Sequence, residues 1–151
     1  MKTVLRHDAI EIIKIVRQLI DSNTEIQIYL NNLSANIDFS NCNNDEVDIL
    51  CQGVSNGFIA EILQIISGHS VEVVGNVEKL CQCPCCGYKT LTEKYNTMEE
   101  TGYDICPYCE WEDDGTLINN SYSSVNHGTI LDYQRRMLIE KNKYYIDKWY
   151  K

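Results

Sequence analysis

A chain of 151 residues with 44% apolar side chains is long enough for one packed domain, or for a small domain beside a metal-stabilised module. Its 13 basic residues face 22 acidic ones, a net charge of −9, which argues against nucleic-acid binding because clustered Lys and Arg supply most of that affinity. No apolar run exceeds three residues, which argues against a membrane-spanning helix, and Arg6, His7 and Asp8 interrupt Met1–Leu5 before a signal peptide's apolar core could form.

A soluble, cytoplasmic protein with reduced thiols is therefore expected. The charge is uneven. Residues 1–128 hold 7 basic and 19 acidic side chains, and residues 129–151 hold 6 and 3. Between Arg17 and Lys79 there is no Lys or Arg, while nine acids fall in that span. Such a surface suits a basic protein partner through electrostatic steering; the plainer reading is ordinary solubility.

The first element is a helix over 8–21, where Asp8 and Glu11 have capping-box spacing and Ala9, Ile12, Ile13, Val16, Leu19 and Ile20 recur at helical intervals. Residues 24–40 fit either an alternating strand or a helix face through Ile26, Tyr29, Leu30 and Leu33, with helix favoured. Ser40–Asp45 is a loop by composition, and Val47, Ile49 and Cys51 alternate as a short strand would. A second helix is expected over 55–67, capped by Ser55, striped by Phe58, Ile59, Ile62, Leu63 and Ile66, and ended by Gly68. Val71–Gly75 then reads as a strand.

The strongest chemical signal follows. Cys83-Pro84-Cys85-Cys86-Gly87-Tyr88 is answered by Cys106-Pro107-Tyr108-Cys109, with 19 residues between Cys86 and Cys106. Tetrahedral zinc takes four soft ligands at about 2.3 Å, and two Cys-x-x-Cys turns can each deliver two sulfurs. Proline presets each turn, and Gly87 permits the positive φ that aims backbone N–H groups at sulfur. The expected ligands are Cys83, Cys86, Cys106 and Cys109, although Cys81 and Cys85 are close enough in sequence to substitute for one of them. Cys42 and Cys51 read as small apolar residues.

Cys106-Pro107-Tyr108-Cys109 also resembles a glutaredoxin dithiol. That chemistry needs a helix N-terminus to lower the thiol pKa. Here the acids of Glu110-Trp111-Glu112-Asp113-Asp114 follow, and the only two prolines, Pro84 and Pro107, both lie inside the cysteine turns, leaving none to face the dithiol in cis as that family implies.

Between the halves, Tyr88–Lys94 and Tyr103–Ile105 are expected to pair as the antiparallel hairpin of a zinc ribbon. Residues 115–128 are polar and loop-like. Thr129 and Asp132 repeat the capping spacing, and a long helix is expected from there to about Trp149, with Ile130, Tyr133, Met137 and Tyr144 in one row. The predicted fold class is α+β: an acidic, mainly helical region at 1–79 with a short strand or two, then a zinc-ribbon module with a C-terminal helix at 80–151. With no Pro/Gly/Ser-rich linker between them, the two are expected to pack as one unit.

The cysteine turns, Tyr103-Asp104-Ile105 before the second, Trp111-Glu112-Asp113-Asp114-Gly115 and Asn126-His127-Gly128 together resemble the bacterial cysteine-rich CPCC domain, over roughly residues 80–140. That resemblance implies a small zinc-ribbon-like module and no established activity; some such proteins look like immunity proteins of polymorphic toxin systems. The chain has no Gly-x-Ser-x-Gly, no His-Glu-x-x-His and no phosphate-cradling glycine loop. Four cysteines also close a zinc shell that catalysis would need open. The expected function is thus non-catalytic: an immunity protein, or antitoxin, that covers a basic cognate toxin, with Asp38, Asp45, Glu46 and Asp48 as contacts. The alternatives are a regulatory module binding nucleic acid or a transcription complex, and a thiol oxidoreductase.

Overall fold

A computed structural model of the chain describes residues 1–20, 44–140 and 148–151. They form two compact units, Met1–Glu78 and Lys79–Lys151. The described residues mix helices with small sheets, an α+β composition. Among them no helix is long and apolar enough to cross a membrane. The expected helix at 24–40 falls on residues outside those described.

The first unit opens with a strand that the sequence reading missed, β1 (Lys2–Leu5), which runs directly into helix α1 (Arg6–Ile20). Helices α2 (Asn44–Cys51) and α3 (Asn56–Ser67) precede strand β2 (Val71–Val74), which pairs with β1 in parallel, Lys2 opposite Val71 and Leu5 opposite Val74. A parallel pair cannot be joined by a tight turn; here the intervening chain includes α1, α2 and α3. The helix α1 starts at Arg6, so Asp8 lies in its first turn rather than at its cap. Its buried face runs through Arg6, Ala9 and Ile13, while Ile12 is exposed.

The expected strand at Val47, Ile49 and Cys51 is instead helix α2. The burial explains why. Val47 and Cys51, four apart, share the inward face, and Ile49 between them points to solvent at 67% exposure; a strand would have put all three on one side. Helix α3 follows its sequence closely. Ser55 Oγ accepts the Phe58 N–H at 3.1 Å as the N-cap, the Gly68 N–H closes the end on the Gln64 carbonyl at 2.8 Å, and Phe58, Ile59, Ile62 and Leu63 are buried.

Arg6 ties this unit together. Its guanidinium is 5% exposed and donates to the Val54 and Cys51 carbonyls at 2.8 and 2.7 Å, to Asn56 Oδ1 at 3.0 Å and to Glu78 Oε2 at 2.8 Å. The Cys51 carbonyl is at the end of α2, and Val54 stands just before the cap of α3. One planar fork thus satisfies the backbone at the α2–α3 junction and anchors the chain leaving β2. Glu78 Oε2 also accepts the Gly53 N–H at 3.0 Å.

In the second unit the hairpins differ from expectation. Strand β3 (Cys81–Gln82) pairs antiparallel with β4 (Lys89–Leu91), so the ladder encloses the first cysteine turn instead of joining the two. The second turn is enclosed by the bridge between Ile105 and Glu112. Tyr103–Ile105 is therefore not a strand partner of Tyr88–Lys94, and each Cys-x-x-Cys sits in its own narrow loop.

Helix α4 spans Ile130–Glu140, opened by a reciprocal capping box in which Thr129 N–H donates to Asp132 Oδ2 and Asp132 N–H to Thr129 Oγ1, at 2.9 and 3.1 Å. The expected helix does not reach Trp149, since Lys148 and Trp149 are not helical; residues 141–147, Tyr144 among them, lie outside those described. The final residues instead lie along β4, where the Lys89 N–H donates to the Tyr150 carbonyl at 2.7 Å. Trp149 stacks edge-on against Tyr108, and Tyr108 against Tyr88.

The loop between the cysteine turns closes on Tyr95. A Cβ on Gly102, whose φ is +104°, would stand 2.5 Å from Tyr95 Cα. Gly102→Ala is expected to lower the denaturation midpoint of this unit. Left-handed strain costs about 1–3 kcal/mol, and overlap with a backbone that cannot swing aside adds about as much. A urea titration followed by tryptophan fluorescence checks this.

Candidate metal centre

The two cysteine turns are built alike. In each, the first cysteine's N–H donates to the carbonyl five residues on, Tyr88 at 2.8 Å or Trp111 at 2.9 Å. The carbonyl of the same cysteine accepts the N–H four residues on, from Gly87 at 3.0 Å or Glu110 at 2.8 Å. Closing that loop needs a left-handed residue after the second cysteine. Gly87 supplies it at φ +78° as its sequence position suggested, and Glu110 adopts +64° without that freedom.

The four sulfurs of Cys83, Cys86, Cys106 and Cys109 all lie within 4.8 Å of one another, a group that could hold a metal ion. Cys83 Sγ and Cys109 Sγ are 3.6 Å apart, and Cys86 Sγ and Cys106 Sγ 3.7 Å. A tetrahedron with bonds of about 2.3 Å has edges of about 3.8 Å, so these separations fit an ion at the centre. They are far beyond the roughly 2.05 Å of a disulfide, and all four are free thiols. Cys83, Cys106 and Cys109 are buried, whereas Cys86 is partly exposed.

Such crowding of sulfurs limits how much negative charge they can carry unaided. Hydrogen bonds from Cys109, Cys83 and Cys86 pull the Cys106 thiol far below its ordinary value, with Thr90 adding to them against the effect of burial. The same contacts with Cys106 push Cys83, Cys86 and Cys109 well above theirs. A divalent cation held there would supply the charge that lets all four ionise.

The two other nearby cysteines are placed elsewhere. Cys81 pairs with Leu91 in the β3–β4 ladder. Cys85 is buried with its sulfur 3.9 Å from the Ile130 carbonyl, and its own carbonyl accepts Gln134 Nε2 at 2.8 Å. It docks helix α4 on the tip of the first turn. Neither joins the four-sulfur cluster.

The acidic and His-containing motifs after the second turn hold the loops. Asn126 Oδ1 accepts the Glu112 N–H at 2.8 Å while its Nδ2 donates to the Glu112 carbonyl at 2.9 Å, a side chain imitating a paired strand. Asp113, 4% exposed, accepts the Tyr95 N–H at 2.9 Å, and Asp114 accepts Ser123 Oγ at 2.7 Å. Burial pushes the Asp114 carboxyl up, but the bonds from Ser123 and Thr116 outweigh it and leave the group below its ordinary value. Asp104 takes Thr92 and Glu93 N–H groups at 2.7 and 3.0 Å.

Of the four acids expected to meet a partner, Asp38 lies outside the described residues. Asp45, Glu46 and Asp48 are exposed on α2. Asp48 already accepts Lys14 Nζ at 2.7 Å, which the sequence reading had not foreseen. The helical spacing from Asp45 to Asp48 groups these acids on one short element.

No curated protein and no solved structure matches the chain. One family of known proteins does. Residues 81–138 match the model of the family described as Cysteine-rich CPCC, a stretch that contains all four clustered sulfurs and the loops that fix them.

Proposed function

We propose that Cys83, Cys86, Cys106 and Cys109 hold a structural Zn2+ and that the protein acts by binding, without catalysis. The observation that carries this is the all-sulfur set of four ligand atoms within 4.8 Å of one another, with two of its pairs at 3.6 and 3.7 Å. A catalytic zinc keeps one position for water or substrate; four thiolates leave none. The ion would supply stability to a small unit whose buried apolar side chains beyond the cysteines, among the described residues, are Tyr88, Leu91, Tyr108, Trp111, Ile130 and Trp149.

The finer reading is an immunity protein that neutralises a basic toxin by direct contact. What supports it is the charge: residues 1–78 hold 4 basic and 11 acidic side chains, a net −7, against 9 and 11, a net −2, in residues 79–151. The cysteine-rich part resembles the CPCC domain, and some small proteins that carry such a domain look like immunity proteins of toxin systems, which points the same way. The test is co-expression with the protein encoded immediately upstream. Growth rescue with a stable complex is the expected result, and toxicity without rescue or complex removes this reading. Reversing Asp45 and Glu46 to Lys is expected to weaken the complex by roughly tenfold or more through lost steering. Reversing Glu99 should change it little; equal effects would remove α2 as the contact. Glu93 is a poorer control, because its carboxylate accepts the Gly102 N–H.

A further inference from the structure

The two cysteine turns superimpose in their hydrogen bonding but differ at one matched position. Seven residues after the first cysteine of each turn stand Thr90 and Asp113. Thr90, on β4 beside the first turn, does not serve the sulfurs of its own hairpin. Its Oγ1 lies 3.0 Å from Cys106 Sγ, a sulfur of the other turn. Asp113 makes no corresponding bond to Cys83; its carboxylate accepts backbone N–H groups of Tyr95 and Gly115 at 2.9 and 3.3 Å.

We propose that the Thr90 hydroxyl is a positioning group for the metal centre, donating its proton to the metal-bound Cys106 sulfur and making Cys106 the most firmly held of the four ligands. This rests on the metal-centre reading above and deepens it. The direction of the bond follows from chemistry: a cysteine that ligates a metal has lost its proton and can only accept, and a hydroxyl has one proton to give. The other oxygen within reach, the Tyr88 carbonyl, is at 3.5 Å, the edge of bonding distance. Thr90 is 5% exposed, so water offers little alternative and an unused hydroxyl there would carry a desolvation cost. The strand explains the reach, since Lys89 faces solvent and Thr90 faces inward.

Cys106 also has the Cys109 N–H at 3.5 Å. Among the described residues no hydroxyl bonds to Cys83, Cys86 or Cys109, and Cys86 is the one ligand partly open to solvent. The site is thus graded, from Cys106, enclosed and bonded across the two turns, to Cys86 at the surface. A donor outside the ligand set orients a ligand and sets how much charge it can hold.

The test uses the full chain and three variants, Thr90→Val, Thr90→Ser and Thr90→Ala, with two readouts. In competition with a chromogenic chelator, Thr90→Val is expected to weaken zinc binding about 10- to 100-fold, the usual cost of losing such a partner, and Thr90→Ser to restore it. In iron-loaded protein, where a donor to sulfur favours the reduced site, Thr90→Val is expected to shift the potential negative and Thr90→Ser to return it. If Thr90→Val does not fold, the Ser and Ala variants decide, since both lack the methyl and only Ser keeps the donor. Equal affinity and potential in Thr90→Val and wild type, or in Ser and Ala, would overturn the proposal. Wild-type protein that binds neither ion would overturn the metal-centre reading and the Thr90 proposal together.

Discussion

Stripping metal from the protein with a strong chelator is expected to unfold residues 79–151. Both tryptophans, Trp111 and Trp149, belong to that unit, so tryptophan fluorescence reports on it alone. Trp111 is fully buried against Tyr133, with ring centres 5.1 Å apart, and Trp149 is buried against Tyr108. A structural zinc ion contributes about 10–16 kcal/mol of apparent folding free energy. A typical domain has only about 5–15 kcal/mol in total, so losing the ion should remove the fold. The expected signs are a red-shifted tryptophan spectrum and lost near-ultraviolet dichroism, reversed by added zinc. Acid should act as the chelator does. Protonation of the sulfurs competes with the metal, so affinity falls as pH is lowered. Unchanged tryptophan spectra after verified metal removal would contradict this account.

Replacing Arg6 is expected to be the most damaging single change in residues 1–78. Arg6→Met keeps much of the side chain's length but takes the Arg6 donor from the Val54 and Cys51 carbonyls, the second of which keeps the Val54 N–H at 3.2 Å, and the cation from Glu78. Glu78 is 44% exposed, so the cost comes chiefly from the buried carbonyls that lose a donor, about 1–3 kcal/mol each. Urea denaturation followed by the helical signal of α1–α3 measures it; a loss below about 1 kcal/mol would show that the junction closes by packing alone. The pair also carries a pH signature. Burial pushes the Glu78 carboxyl up, but bonds from Arg6 and from the Gly53 N–H outweigh it and hold the group below its ordinary value. Its contribution is therefore present above the unfolded carboxylate pKa of about 4.3 and lost as pH falls through the lower folded value. Glu78→Gln should flatten that part of the acid profile.

Arg6 also shows where sequence reading reached its limit. In the sequence it is one charge interrupting an apolar start; its importance comes from carbonyls 45 and 48 residues away, which no local pattern announces. Strand β1 was missed for the same reason, because Lys2–Leu5 has no turn signals and finds its partner only at Val71–Val74. Local chemistry, by contrast, was readable. Ser55, Gly68 and the Thr129/Asp132 box act within four residues of themselves, and their caps form as their spacing suggests.

The four ligand candidates were legible because two-residue spacing already restricts each pair of sulfurs to one turn. The pairing of the surrounding strands was not legible, because both a hairpin within each turn and one between the turns satisfy the same alternation. The helix α2 was misread because three apolar residues at alternate positions fit a strand, and only the burial of Val47 and Cys51 without Ile49 distinguishes the two.

The most direct test of the central claim is the zinc content of the purified chain and of single cysteine variants, measured by elemental analysis against protein concentration. One ion per chain is predicted for wild type, Cys81→Ser and Cys85→Ser, and a marked loss for Cys83→Ser, Cys86→Ser, Cys106→Ser and Cys109→Ser. Full metal content in the Cys106→Ser variant, or its loss in Cys85→Ser, would contradict the assignment of the centre.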